Sequence, residues 1–485
     1  MKLMRADHFI LLFMMLSCRT LPTGSALSQI PTSSFVKVPV ACDLPGSIGT
    51  AEHDGEEVFA LTESCVFNNA LHTVKIRILS ETYQKVLDDG CAGLDTGYGH
   101  ALALEIDGYK IENVGIKVRG NTSRCNLKRQ FKFKFDETSL YSKLNGSVEN
   151  KTYPSNLDRN FFGLESLSVR SSANDPAMVR EKIASDSFAA VGTLASSTVR
   201  GPATYRLAPA KLFVSFNRTE NEGPEGSFNR LIDGFYYDYK GFYSLAENID
   251  KIFVESRFQS RGKKLKSFAL VQADLGLASL DRNDYDPTGW SFTYGNGSKV
   301  KTEEQKKTLE AALFSLMARL DPKTTDDELE AFIDIDGTLN YAVSAVLIGH
   351  WDSLMANKNN DFLYNDGKKW QPIGWDLDNT LGANFNIYQA LMSDDIYSPA
   401  RIHPNKLFTT LLAPTRRFRG MFKDRLAKAQ AGFFSTEQFD AMVDHWSDVV
   451  KADTESWEGY NPERFQDLKN FMSYRRKVDA EQVKP

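Results

Sequence analysis

Apolar residues fall at every second position in Val74, Ile76 and Ile78, which predicts a strand from His72, and Ser80 through Leu87 reads as a short helix. Ala101 to Ile106 and Tyr109 to Val118 alternate on either side of Asp107 and Gly108, the pattern of a hairpin. In Leu127 to Phe135, LKRQFKFKF, strand periodicity sends Phe131, Phe133 and Phe135 to one face and Lys132 and Lys134 to the other. Leu167 to Gly192 reads as a strand and then a helix, capped by Asn174, Asp175 and Pro176, with Met178, Val179, Ile183, Phe188 and Val191 as its apolar stripe. Further strands are expected at Thr204 to Tyr205, Lys211 to Phe216 and Gly234 to Asn248, and Lys251 to Tyr294 reads as mixed loop and helix.

The period then lengthens. Thr302 and Gln305 have capping-box spacing ahead of Leu309, Leu313, Leu316, Met317 and Leu320, and Asp334 and Asp336 open an apolar helix that runs into His350, Trp351 and Asp352. Phe362 to Tyr364, the turn Asn365, Asp366 and Gly367, and Trp370 to Trp375 form a second hairpin. Beyond Gly382 the pattern is helical, over Leu407 to Leu412, Arg416 to Gln430 and Gln438 to Val450.

Composition narrows the class. A chain of 485 residues, 42% apolar and 12% aromatic, can bury a sizeable core. Its net charge of -5 argues against a nucleic-acid partner, which calls for a basic excess. Lys2 and Arg5, the apolar run Phe9 to Leu16, and the small residues Gly24, Ser25 and Ala26 have the form of an export signal over residues 1–26. That implies a secreted, cell-surface or periplasmic protein. Leu16, Ser17 and Cys18 also resemble a lipoprotein cleavage box, so a membrane partner is expected only through a lipid on Cys18. Residues 27–71 are rich in Ser, Pro and Gly and read as an arm. Cys42, Cys65, Cys91 and Cys125 then imply two disulfides, with three connectivities open.

The segment Leu347 to Gly382 concentrates the chemistry. Asp352 stands at the mouth of a buried helix before Asn357, Asn359 and Asn360, and the hairpin returns Asp376 and Asp378 towards it. Hard divalent cations prefer carboxylate and amide oxygens, so such a set suits phosphoryl transfer. The same residue types are turn formers, and pattern alone leaves a surface-loop reading open.

HWD at His350, NNDFLY from Asn359 and PIGWDLDNTLG from Pro372 resemble the spore-coat protein H (CotH) kinase family, an atypical branch of the protein-kinase fold. Three further segments match in order: the RGN turn at Arg119 with the Lys-alternating strand, Asp175, Pro176 and Arg180 of a DP-x-x-x-R helix, and YKGFYSLAENID ending at Asp250. The resemblance implies an α+β, two-lobed protein-kinase-like fold, with a strand-rich N-terminal lobe over 72–250 and a helical C-terminal lobe over 251–480.

It also implies roles. Asp352 would be the base that orients the acceptor hydroxyl; Asp376 would hold a cation, Mg²⁺ or Mn²⁺, on ATP, with Asp378 as a further ligand. Asn360 is preferred over Asn357 for a second cation. Lys132 or Lys134, with Arg119, would meet the phosphates, Glu181 or Asp186 would hold the lysine, and Glu247 and Asn248 would offer polar groups to the adenine edge. The substrate would be Ser or Thr on an exported coat or surface protein. An adhesin that kept the fold without the chemistry, or a nucleotidyl or glutamyl transferase on the same fold, are the alternatives.

Overall fold

The computed structural model describes residues 66–482 apart from 121, 138, 145–146, 153–158, 173–174, 193–203, 220–228, 259–266, 384–394, 398–403 and 454–458. The expected export signal and the arm as far as residue 65, with Cys18, Cys42 and Cys65, lie outside the described residues, as does Asn174 of the expected cap.

The architecture is α+β. The N-terminal strands are β1 (His72–Ile78), β2 (Tyr98–Ile106), β3 (Tyr109–Arg119), β4 (Gln130–Lys134), β5 (Ser139–Leu144), β6 (Ser147–Thr152), β7 (Ser166–Arg170), β8 (Leu207–Ser215), β9 (Asn229–Ile232) and β10 (Phe235–Glu247). They pair in the order β1-β8-β10-β7-β4-β3-β2-β5-β6, and β1 also pairs with β2. Seven strands thus close on themselves as a barrel, which removes their free edges. Only the β1–β8 contact within this ring is parallel.

The alternation in β4 sets what the barrel holds. Phe131, Phe133 and Phe135 pack inside with Leu167, Val169, Leu212 and Leu245, all buried. Lys132 and Lys134 therefore face outward, where Lys132 pairs in register with Lys117 on one side and Ser168 on the other. Helix α1 (Ser80–Cys91) lies against β3, and the Cys91–Cys125 disulfide ties its end to the turn that follows Arg119.

A second, larger core contains the rest of the chain and also takes in α2 (Arg180–Gly192). Although α2 follows β7 in sequence, it buries Ile183, Phe188 and Val191 here, and Phe188 meets Tyr341 edge-on at 5.8 Å. Its start is fixed by Asp175, whose carboxylate accepts from Ala177 N, Arg180 N and the Arg180 guanidinium.

The C-terminal half, expected to be helical, also contains an antiparallel sheet. After α3 (Lys251–Phe258), strands β11 (Ala269–Ala273), β12 (Trp290–Gly295), β13 (Ser298–Lys299), β14 (Phe362–Asn365) and β15 (Trp370–Ile373) pair in the order β13-β12-β11-β14-β15. ALVQA and WSFTYG are too short to show a period. Pairing of β11 with β14 across about ninety residues of chain, rather than local propensity, makes them strands.

The helices α4 (Glu303–Arg319), α5 (Asp326–Phe332) and α6 (Ile335–Leu347) start at Thr302, Thr325 and Asp334, whose side chains accept from the N3 backbone N–H groups. The helices α7 (Lys406–Leu411), α8 (Arg417–Ala431), α9 (Thr436–Ala452) and α10 (Pro462–Gln482) complete the chain. Among the described residues no helix is long and apolar enough to cross a membrane.

Candidate active site

Helix α6 is buried along nearly its whole length and ends at Ile348, so the next residues emerge from the core already oriented. Asp352 follows in a turn and is 9% exposed. Three asparagines clamp it: Asn357 and Asn359 donate to Oδ1 at 2.7 and 3.0 Å, and Asn360 donates to Oδ2 at 2.9 Å. Burial pushes the Asp352 carboxyl up, and Asp376 pushes the same way, while Asn357, Asn359 and His350 oppose them.

Asp361 supports this turn from beneath. It is fully buried and accepts from Leu354 N at 2.7 Å, from Trp375 N at 2.8 Å and from the Tyr341 hydroxyl. One carboxylate thereby joins helix α6, the Asp352 turn and the segment that carries Asp376.

Trp375 continues the connection. Its ring lies 4.5 Å from that of Tyr205, and the guanidiniums of Arg119 and Arg170 stand 5.0 and 5.6 Å from its centre. Asp376 adopts a left-handed backbone, φ 59°, and its Oδ1 accepts from Arg170 Nη2. Burial pushes the Asp376 carboxyl up, but Arg170, then Arg119 and His350, hold it below the usual carboxylate range.

Asp378 has the opposite character. It is 8% exposed, and its Oδ1 is buried without a hydrogen-bond partner among the described residues. Burial, then Asp376 and Glu181, push this carboxyl well above its ordinary range. Asp352 adds to the same repulsion, so Asp352, Asp376 and Asp378 lie within electrostatic reach of one another.

The barrel's outer face completes the site. Arg119 donates to Ser168 Oγ at 2.7 Å, Ser168 donates to Asn248 at 2.7 Å, and Asn248 donates to Ser166 at 2.9 Å. Burial lowers Lys132 to about 8; Asp250 opposes this, while Arg119 and Lys117 reinforce it. Arg119 is itself lowered to about 10, by burial and then by Arg170. An anion arriving at this face of crowded, partly desolvated cations would favour their charged forms and raise both values again.

A family model described as CotH kinase protein matches residues 116–478. The chain belongs to the CotH kinase family. No curated protein matches it.

Within this CotH kinase family chain, several expected partners differ. The carboxylate behind the barrel's cationic face is Glu181, but it holds an arginine: Arg170 Nε donates to it at 2.8 Å, and the Tyr205 hydroxyl donates as well. Asp186 pairs with Lys182 at 2.7 Å, one turn away on α2. Lys134 is joined to Asp136 rather than to either acid.

Glu247, expected at an adenine edge, is buried between Arg257 and Arg206. Despite burial, the two guanidiniums hold it down to about 2. Both its oxygens are engaged in tying α3 and Arg206 to β10, so the neighbouring polar group nearer the cationic face is Asn248. Arg170 and Asp361 are the residues that sequence spacing did not single out.

The donor set suits a hard cation carried in with phosphate. Among the described residues no three His, Cys, Asp or Glu side chains form a ready-made cage. Mg²⁺ commonly binds through one or two carboxylates plus substrate phosphates and water, and the Asp378 oxygen that has no partner among the described residues, with Asp376 two residues away, has the chemistry such a half-site needs. Asn359 spends its carbonyl on Gly276 N, whereas those of Asn357 and Asn360 accept no bond from the described residues and remain available.

A pH test follows. A carboxylic acid with a raised folded-state pKa binds its proton more tightly folded than unfolded, so its stabilisation is complete below the ordinary range, about pH 4, and declines as pH rises towards the folded value. Asp378, Asp352 and Glu181 all have this sign, whereas Asp376 has the reverse sign and loses its contribution only in stronger acid. Chelator-treated protein should therefore show an unfolding temperature that falls from about pH 5 to 8. Excess Mg²⁺ should reverse the fall, and Asp378→Asn should flatten it and reduce the Mg²⁺ response. Thermal unfolding across that range checks it; an Asp378→Asn profile identical to the wild type's would contradict it.

Proposed function

We propose that this protein is an exported phosphotransferase of two-lobed kinase arrangement, which moves the γ-phosphoryl group of ATP to Ser or Thr hydroxyls of coat or surface proteins. The observation that carries the reading is the buried, partnerless carboxylate oxygen of Asp378 next to Asp376, opposite a clamped Asp352. Arg170 offsets the charge of Asp376, and a divalent cation between Asp376 and Asp378 would offset the repulsion that remains.

The chain's own groups divide the work. Asp352 has one asparagine bond on Oδ2, which leaves a lone pair there to accept the proton of the acceptor hydroxyl. The hydroxyl oxygen then forms its bond to the γ-phosphorus as the bond to ADP breaks. Arg119 and Lys132 face the phosphates from the barrel, and Glu181 holds Arg170 against Asp376. Mg²⁺ or Mn²⁺ held by Asp376 and Asp378 would neutralise phosphate charge as it moves to the leaving group. The export signal over residues 1–26 supports the location.

Calorimetric titration with ATP tests the reading. Binding is expected with Mg²⁺ or Mn²⁺ and is expected to weaken strongly with chelator. No binding at millimolar ATP with either cation would favour an adhesin on the same fold.

A further inference from the structure

The turn Asp274–Ala278 carries two exposed leucines, Leu275 at 60% and Leu277 at 41% exposure. Isolated exposed leucines need no explanation. These two share one turn, and Leu275 has a left-handed backbone, φ 57°, which is costly for a bulky side chain.

The turn is also held firmly. Asp274 N donates to Gly289 O at 2.9 Å, Leu277 N to Asp274 O at 3.0 Å, and Ala278 N to Lys358 O at 3.2 Å. Gly289 packs so closely on the Leu277 backbone that a Cβ there would collide with it. The leucines are therefore displayed by a rigid turn.

Its position is what gives the display a role. Asn359 bridges the turn and the candidate base, accepting from Gly276 N at 3.3 Å while donating to Asp352 Oδ1 at 3.0 Å. One side-chain amide separates the leucine turn from the carboxylate that would receive the acceptor's proton. The charged groups beside it already have partners: Lys358 pairs with Asp284 at 2.7 Å, and Asp274 accepts from Ser291 Oγ at 2.6 Å. Apolar contact is what the turn has left to offer.

We propose that Leu275 and Leu277 form the docking surface for the acceptor segment, and that the protein prefers a Ser or Thr with an apolar residue nearby. The proposal rests on the phosphotransfer reading. Hydrogen bonds of 3.3 and 3.0 Å through one amide join Gly276 to Asp352. That path spans roughly 8 Å and an extended chain advances about 3.4 Å per residue, so the favoured apolar position is expected roughly two or three residues from the acceptor.

Two labelled peptides test it, identical except for Leu or Gln at the second and third positions on either side of one acceptor Ser. Affinities are read by fluorescence anisotropy and kcat/KM by phosphate incorporation, for the wild type and for the Leu275→Ser, Leu277→Ser double variant. An unchanged unfolding temperature shows that the variant is folded. The wild type is expected to favour the Leu peptide roughly tenfold or more in affinity, and the variant to lose that preference. Equal affinities in the wild type, or a preference that survives in the variant, would overturn the docking surface even if both peptides were phosphorylated. A preference present in binding, lost in the variant, and accompanied by no transfer would support the docking surface and overturn the phosphotransfer reading instead.

Discussion

Asp376→Ala is expected to slow ATP-dependent transfer by about a thousandfold or more. Two losses combine. The substitution removes the carboxylate that would share a cation with Asp378, and it takes from Arg170 the anion that holds it beside the barrel's cationic face. Arg170 keeps Glu181 as a partner, and Asp376 is about one-third exposed, so the fold should persist. Initial rates of phosphate transfer at saturating Mg²⁺, with an unfolding scan as control, check the result; a folded variant that retains its rate would remove Asp376 from the chemistry.

Asp361→Ala is expected to produce the largest loss of stability, about 3–5 kcal/mol. Its carboxylate is the acceptor for Leu354 N, Trp375 N and the Tyr341 hydroxyl, all at a fully buried position. Alanine leaves three donors without an acceptor where water does not reach. Because those donors belong to helix α6, the Asp352 turn and the Trp375 segment, transfer should also fail under conditions where the variant remains folded. Denaturant titration measures the effect, and a loss below about 1 kcal/mol would mean that the two halves of the site are held together by other contacts.

The parts of this fold that were legible in the sequence are those fixed by local rules. Thr302 and Gln305 make both bonds of the capping box that their spacing implies, and Asp334 caps α6. The Phe-Lys alternation gives one face to the barrel core and one to the outside, as period two requires. The hairpin Phe362–Asn365 with Trp370–Ile373 follows from its turn residues.

What was illegible depends on partners distant in the chain. Arg170 ends an otherwise ordinary strand, and only the register of β7 with β4 and β10 turns it towards Asp376 and Glu181. Glu181 was identified as an acid behind the sheet, but its partner could not be read as arginine because the lysine strand satisfied the same pattern. Asp361 stands among Asn359, Asn360 and Asp352, so its burial beneath them has no signature of its own. A clue was available in its place directly before Phe362, Leu363 and Tyr364: an acid at the start of an apolar strand must enter the core with that strand and find donors there. Of the pairings left open by four cysteines, the described residues contain Cys91–Cys125, and Cys42 and Cys65 lie outside them.

The central claim is that Asp352, Asp376 and Asp378 serve transfer of a phosphoryl group. Its most direct test is the intact mass of a Ser-rich exported protein after incubation with this chain, ATP and Mg²⁺ or Mn²⁺. The account predicts increments of about 80 Da per modified site, the mass of a phosphoryl group, with none in the Asp352→Asn and Asp376→Ala variants. An adenylyl or glutamyl increment, or an unchanged mass with both cations, would contradict it.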